Sequence, residues 1–221
     1  MKVYNMETIQ ALMDRTDTRF VEPLGYSYVD PASKSGVGCG SYSSSVNAAD
    51  LVNISDTGMS AVRSWHHDFH NVPCAWSNGW TGSGIEVAVL DSGVSSTQTQ
   101  LNAGFTQGNS AGRLYNKTGF YQGSTNWIDD CGHGTSMSGL LSGPCNANSP
   151  SKPVVIAYQE EFKSYRFAPN LLLETSAEQV AVANAYNAAA GNNVRITSMS
   201  LGYIFSVGII ETAIQNAYAN G

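Results

Sequence analysis

The sequence predicts an α/β protein built on a doubly wound, mostly parallel sheet. Three observations carry that reading. The run Ile85–Leu90 is almost wholly apolar and holds three β-branched residues, the habit of a strand buried on both faces. Further strand-like runs at Pro153–Tyr158 and Val194–Met199 enclose an Ala-rich helical stretch. A second helical stretch follows the last of them, and strands alternating with helices favour parallel pairing with helices on both faces.

Met6 to Arg15 reads as a short helix, followed by an extended stretch broken by Pro23. Pro31–Ser45 has the composition of a loop, and the main domain is expected to begin between residues 55 and 65. Thr81–Gly84 is a turn leading into the first core strand. A short apolar helix is expected after Gly132-His133-Gly134, ending before Pro144. The Ala-rich helix opens with capping-box spacing at Ser176 and Gln179 and stops at Gly191. The last helix sets Ile210, Ala213, Ile214 and Ala217 on one face.

Composition excludes several function classes. Of 221 residues only 11 are Lys or Arg, and the net charge is −6, so no basic stripe exists to neutralise a nucleic acid backbone. No apolar run approaches the roughly 20 residues that span a bilayer, so no membrane partner is expected. The opening MKVYNMETIQ holds no apolar stretch, so no signal peptide is expected in this sequence. Cys39, Cys74, Cys131 and Cys145 form no CxxC pair. Their even number fits disulfides and an extracellular parent, with three pairings open. Proximity favours Cys131 with Cys145.

Three segments carry chemistry. Asp91 stands at the C-terminal end of the first strand, where catalytic groups gather in open α/β sheets, although a turn Asp is the blander reading. His133 lies between Gly132 and Gly134, small enough to let a substrate backbone approach. It opens a helix whose N-terminus favours the neutral imidazole, though an isolated loop histidine is the commoner case. Ser200-Leu201-Gly202 follows a strand and offers an edge on which an extended peptide could pair.

VAVLDSG, GHGTSMSG and ITSMSLG, in this order, closely resemble the Asp motif, the His motif and the substrate strand of the subtilisin-like serine proteases. The resemblance covers about residues 72 to 221 and implies a sheet of the subtilisin type. It implies that His133 is the general base, that Asp91 holds its tautomer, and that Ser200, Leu201 and Gly202 bind the peptide. A polypeptide substrate, a secreted parent and no catalytic cofactor follow. Family members often bind structural calcium, for which no ligand set is assigned here.

METIQALMDRTDTRFVEPLGY is similar to the end of a subtilase propeptide. Residues 1–30 therefore read as a propeptide remnant, 31–60 as a Ser/Gly-rich linker, and 61–221 as the N-terminal part of the catalytic domain. The family's nucleophile segment and oxyanion Asn do not occur before Gly221. The fold is thus expected to be incomplete at its C-terminus, dependent on a missing C-terminal half, and inactive alone. An inactive, degenerate subtilase that binds peptides or a partner is the alternative. A ribose-binding α/β domain is disfavoured, since no GxGxxG loop opens a helix.

Two decoys complete the reading. Gly134-Thr135-Ser136-Met137-Ser138 imitates the nucleophile motif, but Ser136 lacks the following Pro and shares the His133 helix. His66 and His70 could share a metal at helical spacing, with Asp68 or Cys74 near, yet solvated histidines on a surface helix are the simpler expectation. Glu160-Glu161 reads as a solvated surface step.

Overall fold

A computed structural model of the chain describes residues 6–16, 51–54, 61–145, 155–171, 173, 175–202 and 206–220. Much of the segment read as propeptide remnant and linker lies outside these residues. Helix α1 spans Met6–Met13. Strands β1 (Leu51–Ile54) and β2 (Ala61–Ser64) pair antiparallel in a small separate ladder, so a strand occupies part of the stretch read as linker. Helices α2 (Trp65–Phe69) and α3 (Val72–Ser77) lead into the main sheet.

That sheet has four parallel strands: β3 (Glu86–Asp91), β4 (Tyr115–Gly119), β5 (Glu161–Arg166) and β6 (Ile196–Met199). Their order is β4-β5-β3-β6, which places the apolar β3 between two neighbours. Alternation along β3 divides its side chains between two cores. Ala88 and Leu90 pack with Val182, Ala185 and Ile210 beneath helices α5 (Ser176–Gly191) and α6 (Gly208–Asn220). Val89 packs with Leu101, Phe105 and Phe162 on the other face, against Met137 and Leu141 of α4 (His133–Ser142). Helices therefore cover both faces, as expected for a doubly wound sheet. Each fully buried Leu or Val contributes about 1.5–3 kcal/mol, so Val87, Val89 and Leu90 anchor β3 firmly.

Two expectations shift along the chain. Of the strand expected at Pro153–Tyr158, Pro153 and Val154 lie outside the described residues; Ile156–Gln159 is a turn, and a strand forms at Glu161–Arg166. Polar residues in β5 find partners: Lys163 donates to Glu86 of the neighbouring strand at 2.9 Å. The capping box of α5 sits one residue early. Thr175 Oγ1 accepts from the Glu178 N–H at 3.3 Å, and the Glu178 carboxylate accepts from the Thr175 N–H at 2.8 Å. Among the described residues no helix is long and apolar enough to cross a membrane.

Candidate active site

Register sets β6 beside β3, and α4 packs on β3 to bring the His motif to the Asp motif. Asp91 is the last residue of β3 and is buried at 1% exposure. Helix α4 crosses the same end of the sheet with His133 as its first residue. Its preceding residue, Gly132, has φ +90°, a conformation that a side chain would strain. His133 Nδ1 and Asp91 Oδ1 lie 2.8 Å apart, with the imidazole partly exposed and the carboxylate enclosed.

The close approach depends on Gly134. A Cβ at that position would fall 2.4 Å from the Gly93 carbonyl oxygen and 3.0 Å from Asp91 Oδ1. Gly134 is buried, so its small size serves the docking of α4 onto the Asp91 turn and not the approach of a substrate. The Ser92 N–H also donates to Asp91 Oδ1, at 2.7 Å, while Oδ2 has no hydrogen-bond partner among the described residues. Burial pushes the Asp91 carboxyl above its ordinary range, an effect partly offset by its bonds to His133 and the Ser92 N–H. An ionised Asp91 accepts the Nδ1 proton and leaves Nε2 as the acceptor. Among the described residues nothing is bonded to Nε2.

Such an aligned pair can take a proton from a third group and hold the resulting imidazolium. Ser136 is not that group in this arrangement. Its Oγ donates to the Gly132 carbonyl at 3.0 Å, one turn back along the helix. Ser200 and Gly202 are exposed just past β6, whereas Leu201 is buried in the α5/α6 core. The Gly202 carbonyl accepts from the Leu173 N–H at 3.2 Å.

A scan of family models matches residues 82–221 to the subtilase family. The chain belongs to that family. Among curated subtilases, alkaline elastase YaB from Bacillus sp. (strain YaB) is 28% identical over 165 residues, covering 71% of this chain and 37% of the relative. Subtilisin Savinase from Lederbergia lenta is 27% identical over 150 residues, covering 67% and 49%. The chain thus spans less than half the length of these relatives. Its fold resembles the crystal structure of MycP1 from Mycobacterium smegmatis, with TM-score 0.50, 20% identity, and coverage of 76% of this chain and 45% of that one.

Several sequence expectations are corrected. Cys131 is engaged in a disulfide while Cys145 is a buried thiol, so the pairing favoured on proximity is not formed. His67 is buried beside Trp76, with ring centroids 5.7 Å apart, and is not a solvated surface histidine. No group of three or more His, Cys, Asp and Glu side chains that could hold a metal exists among the described residues, so His66 and His70 have no third ligand there. Glu160 is fully buried, against the expectation of a surface step. Neither of its carboxylate oxygens has a hydrogen-bond partner among the described residues. Burial pushes its pKa up to about 7, tempered by the charge of the Arg113 guanidinium.

Sequence reasoning also passed over Asp129. It stands four residues before His133, is buried, and accepts from the backbone of Cys131, Gly132 and Thr135. An Asp shortly ahead of a helix start is a legible capping signal.

Proposed function

We propose that the chain supplies the Asp and His of a subtilisin-like serine endopeptidase. The observation that carries this reading is the 2.8 Å contact between Asp91 and His133 Nδ1 at the carboxyl end of β3, within a chain of the subtilase family. His133 Nε2 takes the proton of a serine hydroxyl as that oxygen bonds to the scissile carbonyl carbon. The same proton then goes to the leaving amine as the peptide C–N bond breaks. Asp91 keeps the Nδ1 proton in place and stabilises the imidazolium between these steps. Ser200, Leu201 and Gly202 hold the extended peptide, with Leu201 anchoring the segment in the core.

The serine that completes the triad is not Ser136, whose hydroxyl is committed to the Gly132 carbonyl. In this reading the nucleophile and the oxyanion donors are groups other than Ser136. The enzyme acts outside the cell, with residues 1–30 as the end of a propeptide and 31–60 as the link to the catalytic part. Incubation of the purified chain with a fluorophosphonate probe tests the division of roles. No stoichiometric label is expected. A full label on Ser136 would overturn it.

A further inference from the structure

Helix α4 and the turn after β3 must keep a fixed separation if His133 is to meet Asp91. One side chain bonds to both. Asp129 Oδ1 accepts from the N–H groups of Cys131 and Gly132 at 2.9 Å each, and from the Ser92 hydroxyl at 2.9 Å. Its Oδ2 accepts from the Thr135 N–H at 2.9 Å and the Thr135 hydroxyl at 2.5 Å. An ordinary helix cap satisfies only donors of its own helix. This one also reaches Ser92, whose N–H lies on Asp91 and whose Oγ accepts from the Gly134 N–H at 2.9 Å.

The surroundings tie Asp129 down in turn. Its own N–H donates to the Val94 carbonyl at 3.2 Å, and the Val94 N–H donates to the Trp127 carbonyl at 3.1 Å. Thr135 Oγ1 accepts from the Ser95 N–H at 2.8 Å, a further tie between α4 and the segment after β3. Burial would raise the Asp129 carboxyl, but its bonds from Thr135, Gly132 and Cys131 outweigh that and hold it below the usual range. A carboxylate is needed because both oxygens accept, and an amide would turn one of them into a donor facing Thr135.

We propose that Asp129 is a positioning residue for the Asp91–His133 pair, fixing the first turn of α4 against the Asp91–Ser92 turn. It does not touch substrate. It acts through Ser92 on one side and through the helix start on the other. The role presupposes the protease reading for its biological meaning, but the geometry it controls can be measured without catalysis.

The test is proton NMR of the purified chain, following the low-field Nδ1 proton of His133 and its exchange with solvent. The wild type should give this resonance. Asp129→Asn and Ser92→Ala should each lose it or speed its exchange by about tenfold or more, the scale of a lost bond to a charged group. Thr175→Ala, which removes the cap of α5, should leave it unchanged, separating positioning from general destabilisation. Persistence of the wild-type resonance and exchange in Ser92→Ala and in folded Asp129→Asn would overturn the proposal. If Asp129→Asn does not fold, Ser92→Ala decides alone. Absence of the resonance from the wild type would count against the Asp91–His133 pairing itself, a separate failure.

Discussion

The two ends of α4 are each faced by a buried carboxylate, and the surroundings treat them in opposite ways. At the N-terminus Asp129 receives three backbone N–H groups and two hydroxyls, and its carboxyl is held low despite burial. At the C-terminus Glu160 lies near Ser142, has no hydrogen-bond partner among the described residues, and is pushed up to about 7. Arg113 is drawn to the same end, donating to the Ser142 carbonyl at 2.7 Å, and burial lowers its own pKa to about 10. The helix dipole has the same sense as this contrast, favouring negative charge at the start and positive charge at the end. Burial alone therefore says little about a carboxylate. The count of donors aimed at it decides whether it is an anchor or a protonatable weak point.

Substitutions should separate the two ends, beginning with the largest effect. Asp129→Ala strands five donors and is expected to cost about 3–5 kcal/mol, the range for breaking a buried charged network, read from urea unfolding. A loss below about 1 kcal/mol, the worth of an ordinary cap, would mean that Asp129 adds nothing beyond local capping. Gly134→Ala pushes a methyl group into the Gly93 backbone at the same end. It should cost about 1–3 kcal/mol as an overpacking change and weaken the Asp91–His133 contact.

The pH dependence sharpens the contrast because the two groups have opposite signs. Glu160 binds a proton in the folded chain at a pH where the unfolded chain has released it. Its contribution is full below the ordinary glutamate range and is lost as pH rises through about 7. The contribution of Asp129 is present above the ordinary carboxylate range and is lost as pH falls through its depressed folded value. Urea midpoints between pH 5 and about pH 7 should fall with rising pH in the wild type, and this fall should be smaller in Glu160→Gln. An unchanged slope in that variant would remove Glu160 from the account. The smallest effect is on stability near neutral pH, where Glu160→Gln should stay within about 1 kcal/mol of wild type because no bond to a charge is lost.

The parts of the fold legible in sequence were those where a single physical signal dominates. Strand β3 has the apolar continuity of a doubly covered strand, and the Ala-rich run of α5 has no competing preference. Strand β5 was missed because its polar positions are stabilised across the sheet, as in the Lys163–Glu86 pair, which no local pattern reveals. The short edge strand β4 carries Asn116, Lys117 and Thr118 and so offers no apolar run to read. Thr175 and Ser176 offer equal capping spacing, so the choice between them waited on backbone geometry.

At the site, the motif order singled out Asp91 and His133, and the packing of α4 on the carboxyl end of β3 brings the two into contact. The roles of Asp129 and Glu160 were hidden for a common reason. Each depends on partners distant in sequence, Ser92 for one and Arg113 for the other. The Gly134 reading changed for a similar cause, since the neighbour that forbids a side chain there is Gly93 on another element.

The proposed membership of Asp91 and His133 in one catalytic triad is tested by the kcat for a peptide substrate of Asp91→Asn at neutral pH, in a form of the protein that carries a complete triad. The account predicts a fall of about 10⁴-fold, because an amide facing Nδ1 favours the wrong imidazole tautomer. A fall of less than about tenfold, the rate equivalent of only some 1.4 kcal/mol, would contradict it.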